Sequence, residues 1–158
     1  MDRNFRRVKV LLIVWIFGLF LTGCGQDDFV IRSLPTYVHK EFYKEGGFQD
    51  FTDYGIYTFD SFDGTKLEEN VYFEKIMDVR VVLPYIENFE SWLTEGTELA
   101  ENYHFDKAWL DESDYLFVDT EEGNTIGNSD RTYGKFDNYD VYFFDTNTWT
   151  LYYFHNNI

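Results

Sequence analysis

Two aromatic runs near the end of the chain constrain the fold more than any other feature of the sequence. Tyr139 to Phe144 reads YDVYFF and Trp149 to Phe154 reads WTLYYF, and aromatic and β-branched residues of this kind favour strands. The four residues from Asp145 to Thr148 suit a tight hairpin turn. Because strands this close in sequence pair in antiparallel fashion, the runs predict an antiparallel sheet in the C-terminal part.

Apolar spacing in the first half of the chain favours helices instead. The aromatic residues between Phe48 and Phe62 recur mostly three positions apart, which is typical of one face of a helix. A longer helical stripe runs from Val79 to Leu93, where Pro84 implies either a kinked helix or a helix that begins at the proline. Helices followed by strands indicate an α+β fold, with N-terminal helices packed on a C-terminal antiparallel sheet of three to four strands.

The composition predicts a globular core without covalent support. Aromatic residues make up 22% of the chain, and each of their side chains buries ~150–250 Å², so disorder is excluded. Cys24 is the single cysteine, so no disulfide can form within the chain. The fold must therefore be held together by its apolar contacts.

The N-terminus has the parts of a secretory signal peptide. Four basic residues lie within the first nine, and an apolar run from Val10 to Leu21 follows them. That run is short for a membrane-spanning helix, which needs ~20 apolar residues. We therefore expect export of the chain across a membrane.

The tetrapeptide that ends this run, Leu21-Thr22-Gly23-Cys24, resembles the lipobox of bacterial lipoprotein precursors. The resemblance implies that the Cys24 sulfur receives a diacylglyceryl group and that cleavage occurs just before Cys24. The chain would then comprise a signal peptide (1–23), a lipid-anchored tether (24–35) and a single acidic α+β domain (36–158). An ordinary signal peptide that contains a cysteine and an uncleaved membrane anchor are the two alternatives.

The mature part, above all its ending YFFDTNTWTLYYFHNNI, resembles small uncharacterised lipoproteins of Gram-positive bacteria. Together with the lipobox, this resemblance implies a protein on the extracytoplasmic face of the cell membrane, held there by the lipid on Cys24. It implies no activity and transfers no functional residues to this chain.

The net charge of the chain limits the classes of molecule that it can bind. The net charge is −16, which argues against nucleic acid, because phosphates are bound by Lys and Arg. An acidic surface of this kind indicates either a solvated shell or a surface that binds cations or a basic partner.

No pattern for a metal, a cofactor or a nucleophile is present. The histidines His39, His104 and His155 are not spaced three or four residues apart, so no helical zinc motif exists. The Asp-rich segments lack the spacing of the twelve-residue calcium loop, and no serine lies in a Gly-x-Ser-x-Gly elbow. We expect no catalytic residues, no metal ligands and no cofactor.

Aromatic side chains on the hairpin are the best candidates for a binding surface. Exposed rings stack on sugars or form hot spots for protein partners, although strand aromatics also commonly fill a core. The candidate residues are Tyr139, Tyr142, Trp149, Tyr152 and His155.

These patterns predict a lipid-anchored interaction module that binds an unknown protein or glycan at the cell surface and is not an enzyme. A small carboxylate-dependent surface hydrolase and a purely structural envelope protein are the alternatives.

Overall fold

The computed structural model describes residues 27–47, 50–61, 63–120, 136 and 138–157. The chain divides into two compact units, Met1–Ser33 and Leu34–Ile158. The described part of the first unit contains one short helix, α1 (Phe29–Arg32), whose N-cap Asp28 accepts a hydrogen bond from the Ile31 N–H. The predicted signal peptide and Cys24 lie outside the described residues.

The second unit is built on a six-stranded antiparallel sheet. Its strands lie side by side in the order β1-β2-β6-β5-β4-β3, so the last strand of the chain lies at the centre of the sheet. The strands are β1 (His39–Gly46), β2 (Phe51–Thr58), β3 (Glu74–Lys75), β4 (Tyr115–Thr120), β5 (Asn138–Asp145) and β6 (Thr150–Asn157).

The two C-terminal aromatic runs form the β5–β6 hairpin, which confirms the hairpin prediction. The turn is held by the Asp145 carboxylate, which accepts hydrogen bonds from the Asn147 N–H at 2.8 Å and from the Thr148 hydroxyl at 2.7 Å. Trp149 takes the positive φ of 52° that closes the turn. The buried Asp114 carboxylate accepts two further hydrogen bonds from Thr146 and so ties the turn to the start of β4.

Short helices connect the strands. They are α2 (Thr65–Glu68), α3 (Leu83–Ser91) and α4 (Glu98–Asn102), with single 3₁₀ turns at Val79–Val81 and Lys107–Trp109. Pro84 lies in the first turn of α3, where its missing N–H breaks no helical hydrogen bond. Of the two possibilities for Pro84, the structure is close to the second, since the helix begins at Leu83, one residue before the proline. None of the helices in the described ranges has the length and apolarity needed to cross a membrane.

The α+β prediction is wrong. Across the described ranges, α3 is the only helix longer than five residues, and the sheet has six strands rather than three or four, so the fold is mainly β. The error lies in the segment between Phe48 and Phe62, where β2 replaces the predicted helix and pairs with β1. Successive strand residues point to opposite faces, so the aromatic residues of β2 reach both sides of the sheet.

One face of the sheet carries the main core, and we call it the helix-covered face. Phe89 of α3 lies 5.3 Å from Phe154 of β6, measured between ring centroids, and Tyr85 of α3 lies 5.2 Å from Tyr139 of β5. Leu99 of α4 is fully buried in the same apolar cluster. The helices α3 and α4 therefore cover this side of the sheet.

A buried polar network holds α3 to the same face. The Tyr139 hydroxyl donates to the Tyr85 carbonyl at 2.9 Å and lies 3.0 Å from Asn88 Oδ1. Asn156 Nδ2 also donates to Asn88 Oδ1, and Asn156 Oδ1 accepts from the Thr52 hydroxyl. Each of these strand polar groups thus has a partner, as burial requires.

The opposite side, which we call the second face, is apolar at one end only. Tyr57, Leu151 and Phe144 are cross-strand neighbours on β2, β6 and β5, and all three are buried. Toward the other end of the same strands the side chains become polar and charged. That polar end is the candidate site.

Candidate functional site

The sheet register brings five charged or titratable residues into one line across the second face. Each member lies directly opposite the next on the neighbouring strand. We call this line the charged row, and its members, from β1 across to β4, are Lys44, Asp53, His155, Asp140 and Asp119.

The centre of the row is a carboxylate–imidazole pair. Asp140 Oδ1 accepts hydrogen bonds from His155 Nδ1 at 2.8 Å and from the Tyr153 hydroxyl at 2.7 Å. Because an ionised carboxylate only accepts, Nδ1 carries the proton. In the neutral ring, Nε2 is then a hydrogen-bond acceptor. Nε2 is buried, and it has no hydrogen-bond partner among the described residues.

Asp53 is the second buried acceptor of the row. The residue is only 7% exposed, and burial raises the pKa of its carboxyl despite the opposing charge of Lys44. Lys44 Nζ lies 3.5 Å from Oδ1, well beyond the ~2.8 Å of a charge-assisted hydrogen bond. Within the described part of the chain, Oδ1 therefore has an ion-pair neighbour but no hydrogen-bond donor.

Lys44 covers this end of the row loosely. Its ammonium group lies 3.7 Å from the centroid of the Phe51 ring, a cation–π distance. The Phe51 ring in turn lies 4.8 Å from the imidazole of His155. Since the Lys44 side chain is 51% exposed, it can leave this position without opening the core.

Asp119 ends the row on β4. Partial burial and the negative charge of Asp140 raise the pKa of its carboxyl. The row contains three carboxyl groups, one imidazole and one ammonium group. The row is therefore acidic, and the site favours a positively charged ligand.

Aromatic rings form the next line of cross-strand neighbours, which we call the aromatic row. Phe42 and Tyr153 stack with ring centroids 6.2 Å apart, and Tyr142 lies 5.0 Å from Tyr153 and 5.7 Å from Phe117. Phe42 is 42% exposed, although it belongs to the sheet. The site therefore has an apolar side that a ligand can contact.

Gly55 on β2 makes this stacking possible. A Cβ at that position would lie 2.9 Å from Tyr57 Cε2, 3.3 Å from Phe42 Cδ2 and 3.4 Å from Tyr153 Cβ. The missing side chain leaves the space in which Phe42 reaches Tyr153 across β2.

The structure divides the five hairpin candidates between two faces and a turn. Tyr139, 1% exposed, and Tyr152, also buried, lie on the helix-covered face. Tyr142 and His155 lie on the second face. Trp149 lies in the β5–β6 turn and is 40% exposed. Only Tyr142 and His155 are therefore brought together, and they join the two rows defined above. The role of all five as one binding surface stays a prediction.

Sequence reasoning did not single out Lys44 or Asp53, and it considered Asp119 and Asp140 only as parts of Asp-rich segments that lack the calcium-loop spacing. The available signal was a charged residue inside an otherwise aromatic strand, as Asp53 is within FTDYGIYT and Asp140 within NYDVYFFD. Burying a carboxylate is costly unless it has a partner, so these positions are informative. Their alignment follows from the strand order, which local sequence does not reveal.

The row offers acceptors rather than a nucleophile or a metal cage. Of the residues described, no group of three or more His, Cys, Asp and Glu side chains could hold a metal ion. An Asp–His pair activates a Ser or Cys in hydrolases, but no described hydroxyl or thiol is hydrogen-bonded to His155 Nε2. Among the described residues, the row therefore presents hydrogen-bond acceptors and no nucleophile.

Comparison with protein-family models, with curated proteins and with solved structures finds no match for the chain.

Proposed function

We propose that the chain is a lipid-anchored extracytoplasmic binding protein, and that the charged row and the aromatic row together form its ligand-binding surface. The lipobox-like residues Leu21 to Cys24 support the anchor. Two acyl chains hold a protein on a membrane stably, whereas one gives only marginal binding. The partner is a protein or glycan at the cell surface.

The observation that carries the binding role is the pair of buried acceptors, Asp53 Oδ1 and His155 Nε2, each without a hydrogen-bond donor among the described residues. An unpaired buried polar atom costs ~1–3 kcal/mol. Asp53 and His155 are cross-strand neighbours, so a ligand that supplies donors to both atoms would remove this cost. A ligand would thus recover free energy that folding alone does not.

The anchor is tested by intact-mass measurement of the protein expressed in a bacterium with lipoprotein processing. We expect a chain that begins at Cys24 and carries diacylglyceryl, and a Cys24→Ala variant that keeps its leader. An unmodified Cys24 thiol in the mature protein would refute the anchor.

The binding surface is tested by photo-crosslinking on whole cells. A photoreactive amino acid replaces Phe42 on the second face or, as the control, Trp92, which is similarly exposed at the end of α3. We expect a crosslinked partner from position 42 alone, and its loss when Asp140→Ala is added. Equal crosslinking from both positions would place the partner elsewhere.

A carboxylate-dependent hydrolase is the second candidate, supported by the raised pKa values of Asp53 and Asp119. Against it, the imidazole of His155 stands between Asp53 and Asp140 in the row. It fills the space that a glycosidase keeps for the scissile bond and its water. We expect the wild-type protein not to hydrolyse chromogenic glycosides or esters. Hydrolysis by the wild type that disappears in Asp53→Asn would instead favour the hydrolase.

A further inference from the structure

We propose that the ligand group bound by the charged row is the guanidinium of an arginine side chain in a basic peptide segment, which displaces Lys44 from Asp53. The inference rests on the proposed function and specifies its ligand.

The first step is the match of donors to acceptors. Asp53 Oδ1 and His155 Nε2 are neighbouring acceptors on β2 and β6, and no described side chain or backbone group donates to either of them. A guanidinium carries five N–H donors in a planar fork and no acceptor. One arginine therefore carries enough donors for both atoms, whereas a hydroxyl carries a single proton.

The second step is charge. Asp53, Asp140 and Asp119 outnumber the single ammonium of Lys44 in the row, and the whole chain carries a net charge of −16. This field attracts cationic ligands from a distance and repels anionic ones. A basic segment of a protein partner gains from both the row and its surroundings.

The third step is that the site already holds a cation of this chain. The ammonium of Lys44 lies over the Phe51 ring at 3.7 Å and 3.5 Å from Asp53 Oδ1. It occupies this position without completing a hydrogen bond. Arginine stacks better than lysine on aromatic faces, and displacement of Lys44 would free the Phe51 face that it now covers. The incoming guanidinium thus replaces a weaker internal ligand.

The test is a titration of the full chain in nonionic detergent, in which binding is monitored by ¹⁵N NMR of the imidazole nitrogens. The probe is N-acetylarginine methylamide, and N-acetylcitrulline methylamide is its uncharged control. We expect the His155 signals to move with the arginine probe only. The signals of His39 and His104, which lie outside the row, should stay in place.

Variants separate the row from general attraction to an acidic protein. Asp53→Asn should weaken binding at least about tenfold, and Lys44→Ala should strengthen it several-fold because the internal competitor is gone. Asp60→Asn removes the same charge from an exposed position beyond the end of β2 and should leave the affinity unchanged. Equal affinities for Asp53→Asn and Asp60→Asn, or equal binding of the citrulline probe, would overturn the proposal.

Binding of methylguanidinium and the result of crosslinking separate the arginine proposal from the proposed function. Methylguanidinium that binds as tightly as the arginine probe would identify a free organic cation, rather than a peptide, as the ligand and would overturn the peptide part of the inference. A failed titration combined with specific crosslinking from position 42 would reject the arginine and keep the proposed function. Failure of both experiments would reject the binding surface itself.

Discussion

At the scale of single residues, Asp53 is expected to lower the stability of the folded chain at neutral pH. Burial raises its folded-state pKa above the unfolded value. The stability that this group contributes is therefore present below the unfolded pKa and is lost as the pH rises through the folded pKa. The charged groups that act on it are Lys44, His155 and Asp140, and Lys44 offsets only part of the cost.

Asp53→Asn should therefore stabilise the chain at pH 7 by on the order of 1 kcal/mol and flatten the fall in stability with rising pH. Urea unfolding between pH 4 and pH 8 measures both effects, and the exposed Asp60→Asn serves as the matched control. An Asp53→Asn variant less stable than the wild type at pH 7 would show that the Lys44 ion pair outweighs burial. A residue that costs stability and supports binding would show the common trade-off at functional sites.

Replacing Tyr139 is expected to destabilise the folded chain, in contrast to Asp53, because its hydroxyl is buried and hydrogen-bonded. It donates to the Tyr85 carbonyl and lies beside Asn88 Oδ1. Tyr139→Phe removes that donor inside the core and should cost about 1–2 kcal/mol in unfolding free energy. Tyr43→Phe is the control, since the Tyr43 hydroxyl bonds only Glu41 on the same partly exposed strand. Similar losses for the two variants would mean that burial of the Tyr139 bond adds nothing.

At the scale of elements, the β1–β2 hairpin depends on Gly55. An added Cβ would press on Tyr57 and Phe42 and push Phe42 away from Tyr153. Overpacking of this kind costs about 1–3 kcal/mol, so we expect Gly55→Ala to lower the melting temperature and to weaken binding at the row. Gly64→Ala, where an added Cβ meets nothing within 4 Å, should do neither. A Gly55→Ala variant with unchanged melting would show that the Phe42 ring yields at no cost.

The same strand explains where sequence reasoning failed. In β2, Phe51 and Tyr57 lie on the second face and Tyr54 on the helix-covered face. Tyr54 and Tyr57 are nevertheless both buried, because this part of the sheet is covered on both sides. With rings on both faces, β2 lacks the alternation of apolar and polar residues that marks a half-buried strand. The spacing of three between its rings is then the same as that of a helix face.

The β5–β6 hairpin was predictable because its signal is local. Its two runs and its turn lie within Tyr139 to Phe154, and the register follows from the turn. The charged row was not predictable in the same way. It needs β2 beside β6, a pairing between residues about a hundred positions apart, such as Asp53 and His155. His155 was identified without its partners for that reason.

At the scale of the whole molecule, the net charge of −16 should oppose folding, because like charges lie closer together in the compact state. Salt screens this repulsion: the Debye length falls from ~30 Å at 0.01 M to ~10 Å at 0.1 M and ~3 Å at 1 M. We therefore expect the melting temperature of the full chain in nonionic detergent to rise by several degrees between 0.01 M and 0.5 M NaCl. Circular dichroism at fixed pH measures it.

A variant with three exposed acids neutralised separates screening from other effects of salt. Asp60→Asn, Glu74→Gln and Glu112→Gln lie outside the charged row and are exposed. Together they should raise the melting temperature at 0.01 M NaCl and reduce the further gain on adding salt. An equal salt response in the variant and the wild type would mean that NaCl acts through something other than charge repulsion. The negative charge would then not destabilise the folded state. Its attraction for a basic partner would come without a loss of folding stability.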